Sequence, residues 1–432
     1  MLICVLNLHN IAFAQDTKEP ILSDPQLTTE LVGDGISFPT SMAFLGPDDI
    51  LILEKNNGTV KRMVNGELLN EPLLQVNVSN QGERGMLGIA VQKNNGGPTY
   101  VFLYYSEPAP SNDKNLSHIV EPTVNRLYRY ELDLNQGRLI KPMLIFALPA
   151  ALKTNHNGGV VTIGPDNNVY TVVGDLVGHR TLAQNQRSGN DVDGTGGILR
   201  VTPEGKPLDH GTISNSYPLN LYYAYGIRNS FGIDFDPITG KLWDTENGDA
   251  YGDEINLVEP NFNSGWSRVQ GMSSLYSLYS NKIFNPGDLV DLGGKGKYSD
   301  PKFSWNASVG VTAIKFLDSD KLGKKYKNDM FVGDFHNGYL YHFDLNKKRT
   351  GLSLNASLDD KVANNKEELK QVIFAQGFGA ITDIEVGPDG YLYVMSLHQG
   401  GPNCDPKHPE QALACVKYNS GIEGSVYRII RR

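Results

Sequence analysis

Apolar and polar residues alternate with a period of two along most of this chain, and the alternating runs come in pairs. A short strand pattern, a turn of Gly, Pro, Asp and Asn, and a second strand pattern recur six times. The units begin at Ser41 (SMAFLGPDDILILEKNNGTVKRM), Leu87 (LGIAVQKNNGGPTYVFLYYS), Val160 (VVTIGPDNNVYTVVGD), Gly232 (GIDFDPITGKLWDTENG), Ala313 (AIKFLDSDKLGKKYKNDMFVGDFHNGYLYHFDL) and Asp383 (DIEVGPDGYLYVMSLHQG). Period-two alternation marks half-buried strands, and the linking residues tolerate the backbone angles of a tight turn. Several units run on into further strands, as in NRLYRYELD, GGILRVTP and the terminal GSVYRIIRR.

Units spaced about 45 to 80 residues apart suit the blades of a propeller, in which small sheets pack face to face around an axis. The pattern therefore predicts an all-β chain, a six-bladed β-propeller of four-stranded antiparallel blades, with residues 22–432 as one domain. A two-sheet sandwich is the competing arrangement, but sandwiches do not usually return to one hairpin grammar six times. PQLTTELVGDGISFPTS, before the first unit, is expected to add a strand to the last blade and close the ring. Helical patterning is scarce, and DKVANNKEELKQVIF is its best short candidate. The longest insertions, SEPAPSNDKNLSHIVEPTV and MSSLYSLYSNKIFNPGDLVDLGGKGKYSD, have the length of loops that shape a binding mouth or a contact surface.

Composition narrows the partners. Among 432 residues, 48 Asp and Glu stand against 39 Lys and Arg, a formal net charge of −9, and no basic run occurs. That balance argues against a nucleic-acid backbone or an anionic membrane and suits neutral ligands or cations. No segment has the roughly 18 unbroken apolar residues of a spanning helix. The start, MLICVLNLHNIAFAQD, has a weak apolar run ending in Ala12-Phe13-Ala14, so residues 1–14 read as a secretory signal whose missing basic region lies upstream. A secreted, periplasmic or extracellular location follows. Cys404 and Cys415, in GPNCDPKHPEQALAC, then read as a disulfide closing a surface loop; in a cytosolic chain they would be two free thiols.

Candidate chemistry lies at the open ends of the hairpins. In TNHNGGVVTIGPDNNVYTVVGD a turn near Asp166 and Asn167 sets Gly158 roughly opposite Asp175, with His156 just beyond and within reach of the Asp175 carboxylate. A carboxylate beside an imidazole orients it and favours proton uptake, as a general base requires; the same histidine would also serve as a turn residue. Gly158 and Gly159 leave room for a flat ligand. Arg228 and Asn229 precede a first strand at the same end. The acidic loop from Glu246 to Glu254 offers Asp253, Glu254 and glycine-exposed carbonyls, hard oxygens suited to calcium, though a hydrogen-bonded blade connection would use the same residues.

From about Thr40 to the C-terminus, through GERGMLGIAV, NHNGGVVTIGPDNNVYTVVGD, GILRVTPEGKP, YGIRNSFGIDFDP, GDEINLVEPNFNSGW and DIEVGPDGYLYV, the chain resembles the soluble quinoprotein sugar dehydrogenases. These glucose/sorbosone dehydrogenase-like six-bladed propellers bind pyrroloquinoline quinone (PQQ) and calcium. The resemblance implies oxidation of the anomeric hydroxyl of an aldose to a lactone. His156 would be the base, Asp175 its orienting carboxylate, Glu83 a pocket residue, and Arg228 and Asn229 the pair on PQQ. It further implies that the carbonyls of Gly248 and Asp249 hold the catalytic calcium, a Lewis acid on the quinone oxygen, and that Asp253 and Glu254 form a structural calcium site.

The departures concern charge. PQQ carries three carboxylates, whose burial needs cations. Where the family has a lysine this chain has His336, in DFHNG, and where it has two arginines before the last PDG motif it has Ala380 and Thr382. Arg84 and Arg228 would compensate in part. Two other functions fit the same scaffold: a cofactor-less propeller binding a glycan or protein, and a calcium-dependent lactonase, for which the Arg-Asn pair has no evident role. The electron acceptor is not written in the chain.

Overall fold

The computed structural model of the protein describes residues 19–108, 123–150, 153–208, 213–398 and 422–432. The signal-like residues 1–14, Cys404 and Cys415 lie outside these. The chain forms an all-β propeller. Its strands group into separate sheets of four to six strands each: two of four, three of five and one of six. The innermost strands are Pro39–Gly46, Met86–Gln92, Val161–Ile163, Ser230–Phe235, Val311–Phe316 and Ala380–Val386. Each touches the next, and the last touches the first.

The uniform four-stranded blade expected from the repeats occurs in only two sheets. Elsewhere short segments add to an outer edge. Ile21–Leu22 pairs with Ile373–Gln376, while Phe262–Asn263 and Lys297–Tyr298 extend the third sheet in parallel. The long connections supply these pieces, and covering an edge satisfies backbone groups that would otherwise invite pairing with another chain.

The core is divided among the sheet interfaces. Side chains alternate across each strand, so both faces of a sheet meet a neighbour. The buried Trp243 and Trp305 meet Phe316, Tyr341 and Phe343 of the following sheet edge-on or tilted. Equivalent clusters join every successive pair of sheets around the ring. Closure comes from Leu27–Ser37, which pairs antiparallel with the C-terminal strand Glu423–Arg431. The expected closing segment therefore does close the last sheet.

DKVANNKEELKQVIF yields only a one-turn helix, Lys366–Leu369, capped by Asn365, whose side chain accepts from the N–H groups of Glu367 and Glu368. Its flanks, Val362–Ala363 and Ile373–Gln376, pair with two different sheets instead, a tertiary override of local propensity. A longer helix, Ser273–Ser280, lies inside the second insertion, where Tyr279 stacks on Tyr251.

Removing Glu423–Arg432 strips Leu27–Ser37 of its partner and Leu392–Leu397 of one of its two. Scanning calorimetry of that truncation should show loss of the single cooperative transition at the full chain's melting temperature, whereas a trimmed loop should leave it in place.

Candidate active site

Because each hairpin starts and ends at the same end of its sheet, residues just before the inner strands and just after the second strands converge on the ring axis. They enclose a cavity of about 300 Å³ lined from five of the innermost strands and, on the third sheet, from Gly158 and Val160 just before Val161–Ile163. His156, Glu83, Arg228, Asn229, Gly248, Asp249, His336 and Thr382 all line it, with apolar walls from Phe38, Phe231 and Phe335.

The inner hairpin of the third sheet pairs Val161 with Thr171 and Ile163 with Val169. It is centred on Asp166, so the expected register is displaced by one residue and Asp175 comes nearer His156. His156 has φ 62°, in the left-handed region, and its Nδ1 lies 2.6 Å from Asp175 Oδ1. Asp175 also accepts from Trp266 Nε1 at 2.8 Å and from the Val177 N–H at 3.0 Å. Burial works against its ionisation, but the imidazole and these donors outweigh it and hold the carboxyl below its ordinary value. An ionised Asp175 accepts from Nδ1–H, which leaves the imidazole lone pair on Nε2.

Glu83 fixes the backbone that carries the histidine. Its carboxylate accepts from the His156 N–H at 2.6 Å, from Asn155 Nδ2 at 3.2 Å and from Asn229 Nδ2 at 3.4 Å. Gly174 makes this crowding feasible, since a Cβ there would stand 2.4 Å from the His156 carbonyl and 2.9 Å from that of Arg228. Arg228 lies over the Trp266 ring and donates to the Asn247 carbonyl at 3.1 Å and to Asp249 Oδ1 at 3.2 Å. Its N–H reaches Glu246 Oε1 at 2.6 Å.

The acidic loop divides differently from expectation. Asp253, assigned to a structural calcium site, is consumed by protein donors: the N–H groups of Gly248, Val309 and Gly310 at 2.7–2.9 Å and the Ser308 hydroxyl at 2.8 Å. It ties the loop to the next sheet. Glu254 instead faces inward beside Glu246 and Asp244, which pair across the strands with Glu254 and Asn256. Burial and mutual repulsion raise the pKa values of Asp244 and Glu254, and burial pushes Glu246 up to about 7. Both Asp244 oxygens are buried without a hydrogen-bond partner among the described residues, whereas the Asp253 carboxylate is taken up by protein donors.

The cation inventory also changes. Arg84 does not line the cavity; it donates to the Lys153 carbonyl and Thr123. Ala380 packs against Phe38 and Leu397. The group the sequence reading missed is Lys55, 2% exposed and on the cavity wall. Burial pushes its ammonium down to about 7, against an opposing pull from Glu83. It immediately follows the second strand of the first unit, close to the place Asp175 occupies in the third, and that positional equivalence is the signal that could have revealed it. Trp266, quoted only within NSGW, and Asp383, whose carboxylate accepts from the Met42 N–H at 2.7 Å, were likewise missed as site residues.

The sequence model of the family described as Glucose / Sorbosone dehydrogenase matches residues 36–402. The chain belongs to this family of oxidoreductases. It is 26% identical over 380 residues to the aldose sugar dehydrogenase YliI of Escherichia coli (strain K12), covering 87% of this chain and 91% of that one. The fold is shared with the soluble aldose sugar dehydrogenase of Escherichia coli in its apo-form, at TM-score 0.68, 20% identity and coverage of 94% and 100% of the two chains. It is also shared with the PQQ-bound aldose sugar dehydrogenase of Streptomyces coelicolor, at TM-score 0.62, 22% identity and coverage of 93% and 98%. Among the described residues no helix is long and apolar enough to cross a membrane.

Asp383 gives the site a pH signature. Burial, then Glu385, pushes its carboxyl up to about 8, far above the unfolded value of about 3.9. The folded chain keeps a proton that the unfolded chain has lost, so the stability present at low pH is lost as pH rises to about 8. Urea unfolding from pH 5 to 9 should show wild type losing stability relative to Asp383→Asn by up to ~1.4 kcal/mol per pH unit, levelling off above about pH 8. A difference independent of pH would show that the carboxyl is ionised throughout.

Proposed function

We propose that the protein oxidises the anomeric hydroxyl of an aldose to a lactone in the axial cavity, with PQQ and calcium as cofactors, each of the ring's six sheets acting as one blade. The observation that carries this reading is the His156–Asp175 pair at 2.6 Å on the wall of the cavity shared with Arg228 and Asn229. In this role the Nε2 lone pair of His156 takes the proton of the anomeric O–H as the C1–H electron pair leaves as hydride. Asp175 and Trp266 keep the ring in the tautomer and orientation that the transfer needs and stabilise the imidazolium formed. Glu83 holds the histidine backbone still, so orientation is set before substrate arrives.

The residues present fit a planar, anionic, polar-edged group. The aromatic and aliphatic walls suit a ring system, and Lys55, Arg228 and His336 place cationic or proton-accepting side chains around it. Asn229 Oδ1, Arg228 Nε and Thr312 Oγ1, all in cavity-lining residues, are buried without a partner among the described residues. When bound, PQQ supplies a carbonyl acceptor for the hydride, polarised by a calcium ion held by the carbonyls of Gly248 and Asp249. Glu254, of the acidic pair Asp253 and Glu254, would contribute to a second, structural calcium site, since the Asp253 carboxylate already serves protein donors. Consistent with such a protein, residues 1–14 would serve as a secretory signal and residues 22–432 would work as one domain outside the cytosol.

Reconstituted with PQQ and calcium, the protein should reduce an artificial dye when given aldoses. His156→Ala should lower kcat by ~10²–10⁴-fold while PQQ affinity stays within a few-fold. A wild type that folds but binds no PQQ would favour the cofactor-less binding propeller, and lactone hydrolysis without PQQ would favour the lactonase.

For the buried carboxylates, calcium should raise the melting temperature of wild type by mass action. Glu254→Gln should abolish that rise, while Asp253→Asn should lower the melting temperature with calcium or without it. An undiminished rise in Glu254→Gln would remove Glu254 from the ligand set.

A further inference from the structure

We propose that Asp329, His342 and Asp344 form a binding site for one divalent ion of the zinc class, on the sheet built on Val311–Phe316 and at its end opposite the axial cavity. The site is independent of the sugar-oxidising reading above.

Strand pairing brings the three side chains together. Met330–Asp334 runs antiparallel to Tyr339–Phe343, with Phe331 opposite His342 and Met330 opposite Phe343. One further step sets Asp329 opposite Asp344, and because side chains alternate along a strand, His342 shares their face. One ligating atom from each of the three lies within 4.8 Å of the other two. His336, on the cavity wall, follows the other end of Met330–Asp334, so the length of that strand separates the two places.

The protein's own contacts serve these acids poorly. Carboxylates directly opposite on neighbouring strands repel, and among the described residues no Lys or Arg forms an ion pair with either. Both turn instead to one imidazole nitrogen: His342 Nε2 lies 3.0 Å from Asp329 Oδ2 and 3.6 Å from Asp344 Oδ1. A single N–H serves the first and is too far from the second for a hydrogen bond. A metal ion in place of that proton would engage all three. Ligand atoms about 2.0–2.1 Å from a tetrahedral zinc stand roughly 3.3 Å apart, which falls between the two separations found here. The imidazole is held by the rings of Tyr326, Phe331 and Phe374, with centres at 5.2, 5.1 and 6.0 Å. The Asp344 side chain is 60% exposed against 12% for Asp329, so it can swing to close the site and leave the solvent side for a water ligand. An imidazole among the ligands favours zinc and its transition-metal neighbours over calcium.

The test is a titration of metal-free protein with zinc in competition with a chromophoric chelator, repeated with cobalt as an optical probe. Wild type should show a saturable site whose cobalt spectrum is unchanged by an equal concentration of calcium. His342→Ala should abolish that site, and Asp344→Asn should weaken it by about tenfold or more. Asp344→Asn changes an exposed side chain, so it keeps the test decisive where His342→Ala fails to fold. Zinc affinity equal in Asp344→Asn and wild type would place the ion elsewhere and overturn the assignment. Absence of saturable binding in wild type would also overturn it, leaving the imidazole as a proton-carrying bridge between two carboxylates.

Discussion

Pairing of Leu27–Ser37 with Glu423–Arg431 brings residues from both ends of the described chain into one sheet, and everything at the axis depends on it. A ring of small sheets has no central layer of its own. Each sheet is stabilised by burying its two faces against neighbours, so an open ring leaves two large apolar faces in water and spreads the loops. Closure turns those faces into an interface and fixes the distances among loops far apart in sequence. Ser41 and Asp383, 342 residues apart, hydrogen-bond across this seam.

Once the ring is closed, the axial cavity concentrates charge. Glu83, Asp249 and Asp383 line it with Lys55, Arg228 and His336, and burial acts on these groups unequally. It pushes Lys55 down and Asp383 up, so near neutral pH both lose part of the charge they would carry in water. Asp175 escapes this, because three donors compensate its burial and keep it ionised. Local donor geometry, more than residue type, decides which carboxylates in this molecule are charged.

Much of this was legible from sequence because hairpin repetition is a local signal. Period-two alternation and turn residues located the paired strands, and counting outward from the turn at Asp166 brought His156 and Asp175 together to within one residue of register. What escaped depended on non-local contacts. The outer-edge strands form only because connections fold back onto sheets they do not follow in sequence, and KEEL stays a single turn because its flanks are claimed by two sheets. Asp253 reads as a metal ligand by type, yet its partners are backbone N–H groups about 55 residues later, which no spacing rule reveals. Lys55 escaped because a single lysine after a strand looks like any solvated lysine until the ring buries it.

Asp253 also bears on how the loop from Asn247 to Tyr251 behaves. By gathering the Gly248 N–H and those of two residues from the adjoining sheet around one carboxylate, the chain carries an internal counter-ion in the crook of that loop. The loop's shape is thereby inherited from the polypeptide and does not have to be moulded by an arriving metal. Gly248 and Asp249 line the axial cavity, so a molecule arriving there meets a wall whose backbone course is already set by a carboxylate it never touches.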